Sequence, residues 1–105
     1  MENILAVCLN KSYKEGITTL HLYEITRRAW RVNIKRVQKI EYVLGVYKGD
    51  IKSVYRVKEW KICEENNKRK YFIGEPIEEE LKTKLEEKYN NGNKIKFTGC
   101  PVKYL

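Results

Sequence analysis

Residues 42–57 restrict the fold more than any other stretch of the chain. Tyr42-Val43-Leu44-Gly45-Val46-Tyr47 is β-branched and aromatic, and Lys48-Gly49-Asp50 is a turn signal. Ile51-Lys52-Ser53-Val54-Tyr55-Arg56-Val57 then alternates on a period of two. Two such runs about a tight glycine turn predict an antiparallel hairpin over 42–48 and 51–57. With a hairpin at the centre of 105 residues, the repeated strand–helix–strand spacing of a doubly wound parallel sheet has no place in the chain.

The flanks supply the remaining elements. Residues 3–9 are short, apolar and partly β-branched, which predicts a buried strand. Asn10 to Gly16 is polar and predicts a loop. Thr18 and Thr19 are N-cap types, and Leu22, Ile25, Ala29 and Val32 recur at three- and four-residue spacing, so a helix is expected from about Leu20 through that stripe. Asn33 is a second N-cap type, and Ile34, Val37 and Ile40 predict a short second helix, or a continuation of the first, over 34–40. The second hairpin strand is expected to extend through Trp60 to Ile62, with a loop at 64–68 and a strand from Arg69 to Ile73 closed by Gly74. Pro76 and the run Glu78-Glu79-Glu80 mark the start of a helix. Ile77, Leu81, Leu85 and Tyr89 form its apolar stripe, and Asn90-Asn91-Gly92 ends it. Residues 94–98 and 102–105 read as one or two last strands. The order β-α-α-β-β-β-α-β predicts a single α+β domain over 1–105. Its centre is a small curved antiparallel or mixed sheet, or a partly open β-barrel, with two to three flanking helices. The competing architecture is a flat antiparallel sheet with helices on one face only.

Charge narrows the function. Lys plus Arg is 22 and Asp plus Glu is 14, a formal net charge of +8. The excess sits in the first half. Between Arg27 and Lys39 stand Arg27, Arg28, Arg31, Lys35, Arg36 and Lys39 with no acid among them. On a continuous helix Arg27 and Arg31 lie one turn apart, away from the apolar stripe. Arginine forks suit phosphate, and counterion release drives such binding. The chain therefore reads as a nucleic-acid-binding module, DNA or RNA. The alternative is a protein-interaction or inhibitor module whose basic helix docks on an acidic partner surface. Aromatic residues interleave with basic ones at Trp30, Tyr55 and Trp60, which makes them candidates for stacking a base, although two tryptophans in so small a domain also suit its core.

Other classes find little support. His21 is the single histidine, and Cys8, Cys63 and Cys100 show no CxxC spacing, so no metal site or cofactor is expected. No phosphate-binding glycine loop, zinc-protease or nucleophile-elbow motif occurs. A hydrolase using His21 with Cys8 or Cys100 is the residual catalytic option, and no catalytic residue is assigned. The opening apolar run is short and lacks a basic flank, so neither a signal peptide nor a membrane span is expected, and an odd number of cysteines suits the cytoplasm.

Leu22-Tyr23-Glu24-Ile25-Thr26-Arg27-Arg28-Ala29-Trp30-Arg31-Val32, the hairpin from Tyr42 through Trp60, Arg69-Lys70-Tyr71-Phe72-Ile73-Gly74 and Val102-Lys103-Tyr104 together resemble small prokaryotic proteins of the PUA-like superfamily, which includes EVE, ASCH and YTH domains. The resemblance implies a partly open barrel with flanking helices that binds RNA or DNA, in several members with a modified base in an aromatic pocket. Carried onto this chain, it implicates Trp30, Tyr55 and Trp60 in the pocket and Arg27, Arg28 and Arg31 in backbone contacts.

Overall fold

The elements run β1 (Ile4–Cys8), α1 (Thr19–Arg27), α2 (Ile34–Val37), β2 (Tyr42–Tyr47), β3 (Asp50–Ile62), β4 (Lys70–Pro76), α3 (Glu79–Asn90) and β5 (Val102–Tyr104). The structure, a computed structural model, describes residues 3–65, 68–90, 95–97 and 99–105. The order is the one expected from the sequence. β2 and β3 pair antiparallel from Tyr42 opposite Arg56 to Tyr47 opposite Asp50. Their two-residue turn has Lys48 at φ 50° and Gly49 at φ 85°, the left-handed pair that matches the twist of a tight hairpin. β3 does run on through Trp60 to Ile62.

Five strands form one mixed sheet in the order β4-β3-β2-β1-β5. β1 and β2 are parallel neighbours, so α1 and α2 make the crossover between them. All other neighbours are antiparallel. Alternation along the strands divides the apolar residues between two faces. Leu5, Val7, Val43, Tyr55, Trp60 and Phe72 form one core with α1 and α2. Ile4, Ala6, Leu44, Val46, Ile51 and Val54 form the other against Leu81, Leu85 and Tyr89 of α3. Helices therefore cover both faces, and the one-sided alternative does not hold.

The sheet is not closed into a barrel. β4 and β5 occupy opposite edges, and the outer edge of β4 is already used. Lys70 exchanges both backbone hydrogen bonds with Trp30, at 2.8 Å each. The Gly74 N–H donates to the Tyr23 hydroxyl at 3.0 Å. Those contacts also explain a departure from the sequence reading. Helix α1 stops at Arg27, and its C-cap Arg28 is extended. The 29–32 stripe continues as extended chain because Trp30 pairs with Lys70 instead of completing another helical turn.

Smaller differences have similar causes. α2 is one turn, capped by Asn33, whose side chain accepts from the N–H groups of Lys35 and Arg36. β4 passes through Gly74 to Pro76, a proline tolerated because the strand is at an edge. α3 accordingly starts at Glu79. Residues 95–97 are not a strand, although Ile95 is buried. Positions 91–94 and 98, where the helix stop and the rest of that strand were expected, lie outside the described residues. No helix is long and apolar enough to cross a membrane among the described residues.

Candidate nucleic-acid interface

The basic run separates into two groups. The Arg27 guanidinium donates twice to the Glu24 carboxylate, at 2.7 and 2.9 Å. That bond holds the Glu24 carboxyl below its ordinary range, against the opposing effect of partial burial. Arg27 also lies over the Tyr23 and Tyr71 rings. Arg28 faces Glu65 at 4.0 Å. Acids distant from the 27–39 stretch in sequence, or just ahead of it, thus compensate its first two cations. Arg31, Lys35, Arg36 and Lys39 have no ion pair with a carboxylate among the described residues. Arg31 is not one helical turn from Arg27, because α1 has ended. It belongs instead to the exposed surface that leads into α2.

The aromatic candidates form no exposed stacking face beside these cations. Tyr55 and Trp60 are 6% and 7% exposed and sit in the core with Phe72. The Trp60 and Phe72 ring centres are 5.3 Å apart, and those of Tyr55 and Tyr23 are 5.0 Å apart. Burial, with a smaller contribution from Tyr23, pushes the Tyr55 hydroxyl up to about 12. Trp30 is half-buried, and its indole N–H donates to the Thr26 carbonyl at 2.9 Å. Trp60 differs in one respect: its buried indole N–H has no acceptor among the described residues. Leaving such a donor unpaired costs about 1–3 kcal/mol.

Two clefts instead adjoin at the end of the sheet where β1 and β2 begin. The smaller, of about 300 Å³, lies between α2 and β5 and is lined by Arg36, Lys39, Tyr104 and the start of β1. The larger, of about 530 Å³, is lined by Lys39, Tyr42, Arg56, Lys58 and Trp60 among others, and by two acids, Glu41 and Glu59. Asn3, Lys39 and Ile40 belong to both walls. In the smaller cleft the Arg36 guanidinium stacks over the Tyr104 ring at 3.7 Å. In the larger, Arg56 lies 5.7 Å from the Tyr42 ring centre and is also paired with Glu78 at 3.2 Å. Lys58 is paired with Glu75 at 3.6 Å. Of these four cations, Arg36 and Lys39 have no carboxylate partner among the described residues.

The sequence reading selected Arg36, Lys39 and Trp60 here but missed Tyr42, Tyr104 and Arg56. Tyr104 follows from alternation within Val102-Lys103-Tyr104, yet only the pairing of β5 with β1 brings it beside α2. Arg27, Arg28, Cys63 and Tyr71 line a separate cleft of about 420 Å³ that carries its own acids, Glu64 and Glu65. No group of three or more His, Cys, Asp or Glu side chains able to hold a metal ion occurs among the described residues. No protein-family model, curated protein or solved structure matches the chain.

Proposed function

We propose that the protein is a small cytoplasmic nucleic-acid-binding module that holds the phosphate backbone on the surface bearing Arg31, Lys35, Arg36 and Lys39. The supporting observation is that these four cations lack a carboxylate partner among the described residues, whereas Arg27, Arg28, Arg56, Lys58 and Lys61 each have one. Like charges without such partners repel one another, and a polyanion relieves that repulsion while releasing its own counterions. The PUA-like resemblance points the same way. Membership of that superfamily, and the reading of a modified base that several members perform, belong to the proposal.

Docking on an acidic protein draws on the same cations. The guanidinium–tyrosine stack in the smaller cleft favours nucleic acid, because such planes accept bases as well as phosphates. Binding of labelled DNA and RNA oligonucleotides, measured across a salt series, tests the reading. Four phosphate contacts predict a log–log slope of about −3 to −4. Absence of binding to either nucleic acid at about 50 mM salt, where such contacts are strong, overturns it.

A further inference from the structure

We infer that the nucleic acid taken by this surface is single-stranded, with Lys39 holding a phosphate between two clefts that each receive one nucleotide. The inference rests on the nucleic-acid reading above and narrows it. The element that presents the cations, α2, has four residues. A single turn is too short to lie along a major groove in the way a recognition helix does. The binding surface is concave at that point: clefts of about 300 and 530 Å³ open on either side of Lys39. These volumes fall in the range that encloses small organic ligands, and a nucleotide is of that class. A duplex, whose bases are stacked inside, offers nothing to fill them.

Each cleft carries a ring and a guanidinium. Arg36 lies over Tyr104 at 3.7 Å in the smaller, and Arg56 lies beside Tyr42 at 5.7 Å in the larger. Unstacked bases pack on such planes whatever their identity, and only a single strand has faces to offer. The stack also holds the Arg36 fork in place. Its N–H edges stay available for a phosphate oxygen, with no carboxylate competing among the described residues. Lys39 lines both clefts, and the phosphate that joins the two nucleotides is the group it would hold.

The test compares a fluorescent oligothymidylate of about eight nucleotides, within the usual site size for single-strand binders, with a duplex of equal length at the same salt. The single strand is expected to bind at least about tenfold tighter. Tyr104→Ala and Lys39→Ala should each weaken single-strand binding by about fivefold or more, and Tyr104→Phe, which keeps the ring, should retain it. Arg31→Ala, outside both clefts, should weaken single strand and duplex by the same small factor. In a Trp30→Phe background the remaining tryptophan, Trp60 in the wall of the larger cleft, should change its emission on adding single strand. Thermal melts of every variant separate lost binding from lost folding. Equal or tighter duplex binding, or unchanged binding by folded Tyr104→Ala and Lys39→Ala, overturns the single-strand inference and leaves the nucleic-acid reading standing. Binding of neither form overturns that reading itself.

Discussion

Gly45 illustrates how one missing side chain organises the core. A Cβ there would run into the Ser53 hydroxyl and stand 2.8 Å from Leu9 Cδ1 and 3.0 Å from Thr26 Oγ1. The space it leaves lets α1 reach across β2 to β3. The Thr26 hydroxyl donates to the Leu22 carbonyl at 2.7 Å. Its single proton is thereby used, so Ser53 donates to Thr26 in their 2.9 Å contact. Gly45→Ala should cost about 1–3 kcal/mol by overpacking. Ser53→Ala removes the nearest clashing atom, so the double variant should lose less than the sum of the two singles in urea melts. Tyr55 makes a second prediction. Its hydroxyl is raised to about 12, whereas the unfolded chain releases that proton near the ordinary tyrosine value of 10.0. Between those values the folded state holds more protons than the unfolded state, so stability falls as pH rises above 10 and the loss is complete beyond 12. Tyr55→Phe should flatten the part of the alkaline decline that this group causes, about 2–3 kcal/mol at full extent. Denaturant midpoints of the two proteins from pH 9 upward measure it.

Among elements, the 28–32 segment has the most consequence for function. Its residues combine helical spacing of apolar groups with an extended backbone, and the choice between them is made by β4. Trp30 closes the β4 edge through two backbone hydrogen bonds and anchors its ring by the bond to Thr26. A bare edge strand invites further pairing, so this segment protects the sheet as well as ending α1. Trp60→Ala, deep in the core beside Phe72, should lower stability by about 3–5 kcal/mol. Trp30→Ala should cost less, since that ring is half-buried, and, by removing the ring anchor at Thr26 that steadies the backbone pairing with Lys70, should also promote self-association. Arg31→Ala, one residue on and exposed, should stay within about 0.5 kcal/mol of the parent. Thermal melts rank the three, and sedimentation reads the association. A melt for Trp60→Ala equal to that of the parent would be inconsistent with the core position described above.

At the scale of the whole molecule, the run of cations without carboxylate partners meets the clefts at Arg36 and Lys39. Residues 1–57 carry 11 basic and 5 acidic side chains, a balance of +6, and residues 58–105 carry 11 and 9, a balance of +2. The fold then spends several acids of the second half on cations of β3 and of the α1 end, through Glu78 on Arg56, Glu75 on Lys58 and Glu65 on Arg28. The cations of the 31–39 stretch receive none of them among the described residues. Replacing Lys35 and Lys39 together by glutamine should therefore leave stability within about 0.5 kcal/mol, or raise it slightly at low salt. The same change should lower the salt slope of nucleic-acid binding by about two contacts' worth, some 1.4 to 1.8. A double variant that lost several kcal/mol, read in denaturant melts, would show those lysines to be structural.

Local chemistry settled the order and type of every element. The hairpin was legible because its period of two and its Lys-Gly turn act between neighbours, and the caps at Thr18 and Asn33 were legible for the same reason. The division of strands between two cores was implicit in their alternation. What required the tertiary structure was every contact made across long separations. The stop of α1 at Arg27 depends on Lys70, 43 positions on. The sheet stays open because β4 meets Trp30 and Tyr23, not β5. The candidate site shared this fate. Its cations could be named from a run without acids, but the run did not disclose that Glu24 and Glu65 neutralise its first two members. Nor did it disclose that Tyr104, at the far end of the chain, supplies the ring beneath Arg36. Composition specifies how much charge and aromatic surface a chain carries, while strand pairing decides which of those groups meet, because the interactions that bring them together act only at contact.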